Sequence, residues 1–200
     1  LPVRLEDYDW ACAKLPDKTI PILIVNPAAS KPERSWSAER YVQVIQFVLS
    51  RWPVQVVLTG GPGAHDKALG DAISADVPGV INLIGQTKPK QLLALIARAA
   101  LVLCPDTGPS HMATAMGTPV VALHAVTNPD ISGPYMYKHL AINAYPEALA
   151  RLKLTVASAP WGKQVHEAWA MQLVSVDVVL ARLNFIFSGV CHHHESSALS

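Results

Sequence analysis

The sequence predicts an α/β fold, with a Rossmann-like, doubly wound parallel sheet in one domain. Short, wholly apolar segments recur along the chain, as at 22–25 (ILIV) and 101–104 (LVLC), and such strands are typically covered on both faces. Between them lie segments whose apolar residues are spaced three and four apart, which is typical of helices. Strands that alternate with helices form right-handed crossovers and therefore a parallel sheet.

The predicted elements follow one another in a regular order. Strands are expected at 22–25, 54–59, 80–84, 101–104 and 119–123, and helices at 38–51, 64–74, 88–100, 109–117 and 168–187. The first of these helices shows the pattern clearly, because its apolar residues begin at Tyr41 and recur three, four and seven positions later. The segment 124–137 contains two Xaa-Pro turns and is predicted to be a long loop, whereas 138–156 is ambiguous.

Length and composition suit one domain of ordinary size, with 200 residues of which 50% are hydrophobic. We expect 1–20 to be a linker or an incoming segment, 21–187 to be the folded domain and 188–200 to be a flexible tail. Because the chain opens at Leu1 rather than at Met, a fragment or a processed product is expected.

Charge and cysteine content exclude several classes of protein. Only 16% of the residues are charged and the net charge is +1, which argues against a sequence-independent nucleic-acid binder. No apolar run reaches the roughly 18 residues of a membrane-spanning helix, and no leader peptide is apparent. The three cysteines, Cys12, Cys104 and Cys191, are far apart, so neither a disulfide framework nor a metal site is predicted, and a reducing cytoplasm is the simplest compartment.

Ligands of an open parallel sheet bind at the carboxyl ends of the strands, and three loops at these positions are unusual. The loop NPAASKPERSW combines small residues with Ser30 and Arg34, although an ordinary polar loop around a buried Trp36 is the alternative. The loop GGPG, which includes Gly61, permits close approach of a ligand but is equally consistent with a plain turn. Neither GxGxxG nor the P-loop pattern occurs.

The third loop, PDTGPSH, is the most informative, because a buried strand ends and a helix begins within it. Asp106, Thr107 and Ser110 can cap the helix start. The remaining N–H groups and the helix dipole would then form an anion site suited to a diphosphate. Gly108 would let the anion approach, and His111 would reach the same space. Alternatively, Asp106 is only a cap and His111 is a buried core histidine.

The order of these motifs resembles glycosyltransferase family 9, the lipopolysaccharide heptosyltransferases. The matching features are PAAS, Arg34-Ser35-Trp36, GGPG, Gly85-Gln86-Thr87, the D-T-G-x-x-H signature at 106–111, GTPVVAL and Gly133-Pro134-Tyr135. They span roughly residues 20–187.

The resemblance implies a GT-B architecture, in which two Rossmann-like domains face each other across a cleft. This chain corresponds to the C-terminal domain, which binds the nucleotide-sugar donor. Arg34 and Ser30 match positions near the phosphates, and Thr87 matches a residue that borders the nucleoside. The residues implied to bind the donor are Ser30, Arg34, Gly61, Thr87, Asp106, Thr107, Gly108 and His111.

The implied activity is transfer of a sugar, heptose from ADP-heptose, to a lipopolysaccharide-core acceptor. The family's proposed base is an aspartate of the N-terminal domain, so no catalytic residue is assigned here and the isolated chain is expected to be inactive. No cofactor or metal is expected. The acceptor would be bound through the N-terminal domain. The protein would act in the cytoplasm or at the inner face of the inner membrane, where peripheral membrane contact is expected. No nucleic-acid partner is expected.

Two departures from the family pattern leave the nucleotide open. Arg34 replaces a lysine, which keeps the charge but changes a point charge to a planar fork. The glutamate that the family often has after GGP, to hold the ribose, is replaced here by Ala64 and His65. The alternatives are therefore a GT-B transferase that uses a UDP-sugar, or a non-catalytic nucleotide-binding module.

Overall fold

A computed structural model of the chain describes residues 2–17 and 19–197. Its strands are β1 (Ile22–Val25), β2 (Gln55–Leu58), β3 (Ile81–Asn82), β4 (Leu101–Pro105), β5 (Val120–His124) and β6 (Ile142–Asn143). They form one six-stranded sheet in the order β3-β2-β1-β4-β5-β6, and every neighbouring pair is parallel. This is the strand order of a doubly wound Rossmann fold. The predicted α/β fold is confirmed.

Helices connect each strand to the next, as the alternating pattern predicts, and further helices precede the first strand and follow the last. They are α1 (Leu5–Ala13), α2 (Ala38–Arg51), α3 (Ala64–Asp76), α4 (Pro89–Arg98), α5 (Gly108–Met116), α6 (Pro129–Ser132), α7 (Tyr145–Arg151) and α8 (Val176–Ser197). Three 3₁₀ turns accompany them, at Pro32–Arg34, Tyr135–Leu140 and Ala170–Leu173.

Both faces of the sheet are covered, which explains why the strands are wholly apolar. Alternate residues of β1 enter different core clusters, Leu23 and Val25 on one face and Ile22 and Ile24 on the other. The first cluster contains side chains of α2, α3, α7 and α8, and the second contains side chains of α1, α4 and α5. The loops at the carboxyl ends of the strands therefore project from a rigid, two-sided core.

Four segments differ from the sequence prediction. Residues 1–20, predicted as a linker, contain α1, which packs against α4; only two of its side chains are buried, too few for a visible apolar period. The predicted loop at 124–137 contains α6, where Asn128 Oδ1 accepts from the Asp130 N–H at 2.9 Å. The ambiguous segment 138–156 contains β6 and α7.

The terminal helix begins later than predicted and ends later. It starts at Val176 instead of residue 168, after the 3₁₀ turn Ala170–Leu173, and continues to Ser197. The predicted flexible tail at 188–200 is therefore helical as far as Ser197, and residues 198–200 lie outside the described residues.

Within residues 2–17 and 19–197, no helix is long and apolar enough to cross a membrane. Among the residues whose side chains the structure describes, 2–17 and 19–189, no three or more potential metal ligands lie together. Cys12 and Cys104 are free thiols.

Candidate functional site

The candidate site lies where the strand order reverses, between β1 and β4. These two strands pair in parallel, with Val25 opposite Leu103, so their carboxyl ends adjoin. The connections that leave them run to opposite faces of the sheet and open a crevice, which is where ligands bind in folds of this type. Asn26 follows β1 and Asp106 follows β4, and both side chains are buried.

A cavity of about 280 Å³ occupies this crevice. Among the predicted site residues, Ser30, Gly61, Thr87 and Thr107 line it. The four come from four different loops, after β1, β2, β3 and β4. The structure therefore brings together residues that lie far apart in sequence, from Ser30 to Thr107.

The cavity has polar walls that the sequence analysis did not single out. Asn26, Asp66 and Lys88 line it together with the predicted residues. Asp66, in the first turn of α3, accepts a hydrogen bond from the Gly61 N–H through Oδ1 at 2.8 Å. A Cβ atom at Gly60 would lie only 3.0 Å from the same oxygen. The GGPG turn therefore consists of small residues because it lies close against this carboxylate. In the sequence, Asp66 could have been noticed as an acidic residue two positions after Ala64, where the family often has a glutamate nearby.

Asp106 forms the centre of a buried polar network beside the cavity. Its Oδ2 accepts hydrogen bonds from Thr127 Oγ1 at 2.7 Å, Ser132 Oγ at 2.8 Å and Arg34 Nη2 at 3.0 Å. Arg34 Nη2 also donates to the Asp106 backbone carbonyl at 2.5 Å. The Arg34–Asp106 ion pair is largely withdrawn from solvent, with side-chain exposures of 19% and 8%. Because low local dielectric strengthens such contacts, the network holds the β4–α5 turn rigidly.

Two expectations about this turn need correction. Asp106 does not cap the helix, because the hydrogen bonds that its Oδ2 accepts come from these three side chains. The N-cap of α5 is Thr107, and its side chain makes no capping hydrogen bond; Ser110 Oγ donates to the Thr107 carbonyl instead. Arg34 does not line the cavity, since its guanidinium is turned to Asp106. Sequence spacing could not reveal that pair, which joins residues 72 positions apart.

The start of α5 remains suited to an anion. Pro109 has no N–H, and the Thr107 side chain makes no capping hydrogen bond. The Ser110 N–H donates to the Thr107 carbonyl at 3.0 Å, so the Gly108 N–H and the helix dipole are what this turn offers to an anion. Gly108 is exposed and a Cβ atom there would meet nothing within 4 Å. His111 is also exposed, which rules out the alternative of a buried core histidine.

His124, at the end of β5, extends the Asp106 network. It is 1% exposed, and its Nδ1 lies 3.1 Å from Thr127 Oγ1. The hydroxyl hydrogen of Thr127 is committed to Asp106, so Thr127 must accept from His124, which places a proton on Nδ1. Nε2 has no hydrogen-bond partner among the described residues.

Burial lowers the pKa of His124 to about 4, against the opposing attraction of Asp106. The imidazole is therefore neutral at pH 7. Sequence reasoning missed His124, Thr127 and Ser132, since it placed all three in or next to an irregular loop. The pair Thr127-Asn128, both polar and directly after a buried strand, was the signal that could have pointed to them.

A crevice at the reversal of strand order, beside small residues and a helix start, is the usual position of a ligand site in a doubly wound, Rossmann-like α/β protein. Residues 1–159 match the family model described as "Glycosyltransferase family 9 (heptosyltransferase)". The chain belongs to glycosyltransferase family 9.

Individual relatives agree with this family. The chain is 30% identical over 187 residues to the lipopolysaccharide core heptosyltransferase OpsX of Haemophilus influenzae, covering 92% of this chain and 53% of that protein. It therefore spans about half the length of this relative.

Solved structures show the same fold. The structure of E. coli ADP-heptose lipopolysaccharide heptosyltransferase II is 24% identical with a TM-score of 0.69, and the match covers 93% of this chain and 52% of that one. E. coli heptosyltransferase WaaC with ADP is 17% identical with a TM-score of 0.64, covering 90% and 48%.

Proposed function

We propose that this chain is the donor-binding domain of a glycosyltransferase that transfers heptose from ADP-heptose to a lipopolysaccharide core. The observation that carries the proposal is the cavity of about 280 Å³ at the reversal of strand order, beside the uncapped start of α5. Family membership supports the class of reaction. The names of the similar heptosyltransferases, one of them solved with ADP, support the donor.

In this proposal the nucleoside lies in the cavity and the diphosphate lies at the start of α5. Thr87 borders the nucleoside, and Gly61 lets the ribose approach the backbone. Asp66 accepts hydrogen bonds from ribose hydroxyls through Oδ2, because its Oδ1 is already bonded to the Gly61 N–H. It thereby replaces the glutamate that is missing at Ala64 and His65.

The diphosphate carries concentrated negative charge that several groups of this chain can balance. The backbone at Thr107 and Gly108 and the dipole of α5 face the anion. Ser30 is an exposed hydroxyl and Lys88 is an exposed cation, and both line the cavity. The Arg34 guanidinium is a planar group of several N–H donors, and its Nη2 donates to Asp106. A group of this kind can bind a carboxylate and a phosphate together.

The chemical contribution of this domain is stabilisation of the leaving diphosphate. Glycosyl transfer develops negative charge on the leaving group, and preorganised donors that face this charge lower the barrier. Deprotonation of the acceptor hydroxyl needs a base, which we assign to an N-terminal domain of a longer protein at the cytoplasmic face of the inner membrane. We therefore expect the 200-residue chain to bind the donor without transferring the sugar.

Melting curves with ADP, UDP and GDP test the donor assignment. At a concentration 100 times the dissociation constant, a bound nucleotide stabilises the folded state by about 2.7 kcal/mol. We expect the largest rise in melting temperature with ADP, and a smaller rise for Asp66→Asn with ADP. Equal rises with the three nucleotides, or a preference for UDP, would contradict the ADP assignment and favour the UDP-sugar alternative.

A further inference from the structure

A second cavity lies near the end of β5. It is separate from the cavity of about 280 Å³ in which the nucleoside is proposed to lie, which we call the nucleotide cavity. The volume of the second cavity is about 220 Å³. One wall is formed by α6, with Asn128 at its N-cap and Ile131 within it, and the other is the segment that contains Trp161 and Lys163. Drug-sized ligands occupy pockets of about 300–1,000 Å³, so this cavity suits a single ring better than a nucleotide.

Both walls of the second cavity are held in place. The Tyr145 hydroxyl donates to the Lys163 carbonyl at 2.7 Å, and the Val165 N–H donates to the Val126 carbonyl at 2.9 Å. Just before these contacts the chain turns through Gly162, whose φ of 71° suits glycine, and the Lys163 N–H closes the turn on the Pro160 carbonyl at 3.0 Å. The second cavity is thus a fixed feature of the fold.

Trp161 stands at the rim of this cavity with 87% of its surface exposed. The contrast with Trp36, which is 1% exposed and bonded to the Val174 carbonyl, shows that Trp161 has no comparable role in the core. A large aromatic side chain on an anchored loop offers a flat apolar face to a ligand.

Polar groups accompany this aromatic face. Asn128 Oδ1 is occupied by the Asp130 N–H, but its amide nitrogen makes no hydrogen bond to any described residue. The side chains of Lys163 and Gln164 likewise have no hydrogen-bond partner within the described part of the chain. An apolar face next to several available donors is complementary to a sugar, which presents C–H groups on its faces and hydroxyls at its edge.

The second cavity adjoins the proposed reaction centre. Thr127 and Ser132 belong to its wall, and both donate to the Asp106 carboxylate. Thr107, next to Asp106, belongs to the wall of the nucleotide cavity. The two cavities thus flank the β4–α5 turn, where the diphosphate is proposed to lie.

We propose that this second cavity is a carbohydrate subsite in which the Trp161 ring stacks on a pyranose. The inference rests on the proposed function, which brings sugars to this edge of the sheet. The pyranose belongs either to the donor or to the acceptor, and both present the same chemistry to Trp161.

Calorimetric titration of the 200-residue chain with ADP and with ADP-glucose distinguishes the two sources. If the donor sugar occupies the subsite, Trp161→Ala weakens ADP-glucose binding by about threefold to tenfold and leaves ADP binding unchanged. If the acceptor sugar occupies it, ADP-glucose binding is unchanged, and methyl glucoside shifts the Trp161 indole N–H resonance in NMR spectra of the wild type. Either result supports the subsite.

Two variants serve as controls. Trp161→Phe keeps an aromatic face and is expected to retain most of the sugar affinity. Phe185→Ala removes an aromatic side chain that is 75% exposed on α8, away from the subsite, and is expected to change neither titration. Melting curves confirm that each variant is folded.

The subsite is overturned if Trp161→Ala leaves ADP-glucose affinity unchanged and methyl glucoside does not move the Trp161 resonance. Failure of the proposed function gives a different result, because the wild-type chain then does not bind ADP. The glucoside titration needs no nucleotide and still decides whether the subsite binds a sugar.

Discussion

Arg34 and Asp106, 72 positions apart in sequence, form a largely buried ion pair with Nη2 and Oδ2 separated by 3.0 Å. The pair ties the loop after β1 to the turn after β4, the two strands between which the sheet reverses its order. Since the same carboxylate oxygen also accepts from Thr127 and Ser132, one acidic side chain connects three loops around the site.

Arg34→Ala is expected to lower the free energy of unfolding by about 1–3 kcal/mol, because Asp106 loses its cationic partner but keeps two hydroxyl donors. Urea unfolding at pH 7 measures the change. Lys67→Ala, at an exposed position of α3, is the matched control and is expected to have little effect. Wild-type stability of Arg34→Ala would show that the ion pair does not contribute to folding.

Thr127→Val removes a hydroxyl while keeping the side-chain shape. The variant breaks the 2.7 Å bond to Asp106 and the 3.1 Å contact with His124, and leaves the buried Nδ1–H of His124 without an acceptor. We expect a loss of about 1–3 kcal/mol in unfolding free energy, measured in urea. Thr87→Val, on the wall of the nucleotide cavity, is expected to leave stability unchanged. Equal stabilities for the two variants would contradict the network.

His124 is expected to make stability depend on pH. Its pKa is about 4 in the folded state against 6.5 for a free histidine, so the unfolded chain binds the extra proton first as the pH falls. This contribution to stability is complete above pH 6.5 and is lost progressively down to pH 4, by up to about 3 kcal/mol.

The variant His124→Asn provides the comparison, because the Asn amide group can donate to Thr127 as Nδ1 does but does not titrate. The unfolding free energy of the wild type is expected to fall relative to that of this variant between pH 6.5 and pH 4. Parallel curves for the two proteins would mean that His124 titrates normally. The ¹⁵N shifts of the imidazole at pH 7 report directly whether the proton is on Nδ1.

His111 gives the clearest separation of binding from folding, because it is exposed in the first turn of α5. His111→Ala is expected to weaken ADP-glucose binding and to change the unfolding free energy by less than about 0.5 kcal/mol. Calorimetry and urea unfolding measure the two effects. The control is His65→Ala, which removes a different histidine that is hydrogen-bonded to Ser35. It tests whether loss of any nearby imidazole has the same result. Unchanged ADP-glucose affinity in His111→Ala would remove it from the donor site.

Local sequence determined the sheet and most of its helices. The strand at 22–25 is predicted because its residues are apolar on both faces, and the structure buries both faces under helices. Helix α2 is predicted to its exact residues because its apolar spacing is strong. Helix α1 was missed because only Asp7 and Ala11 of it are buried. The glycines of GGPG and the PDTGPSH turn indicated the correct edge of the sheet, because strand ends of a parallel sheet converge there.

Only the tertiary structure decided which of these polar residues touch. The sequence places Arg34 near a phosphate and Asp106 at a helix start, but it does not show that the two side chains bind each other, as they do in the folded chain. The sequence prediction places His124 at the start of a long loop, whereas in the structure it ends β5 and its Nδ1 contacts Thr127 Oγ1. Periodicity reports the environment of each residue along its own element, but a hydrogen bond between loops depends on the register and twist of the strands that carry them. That information is set by packing of the whole sheet, and no local pattern contains it.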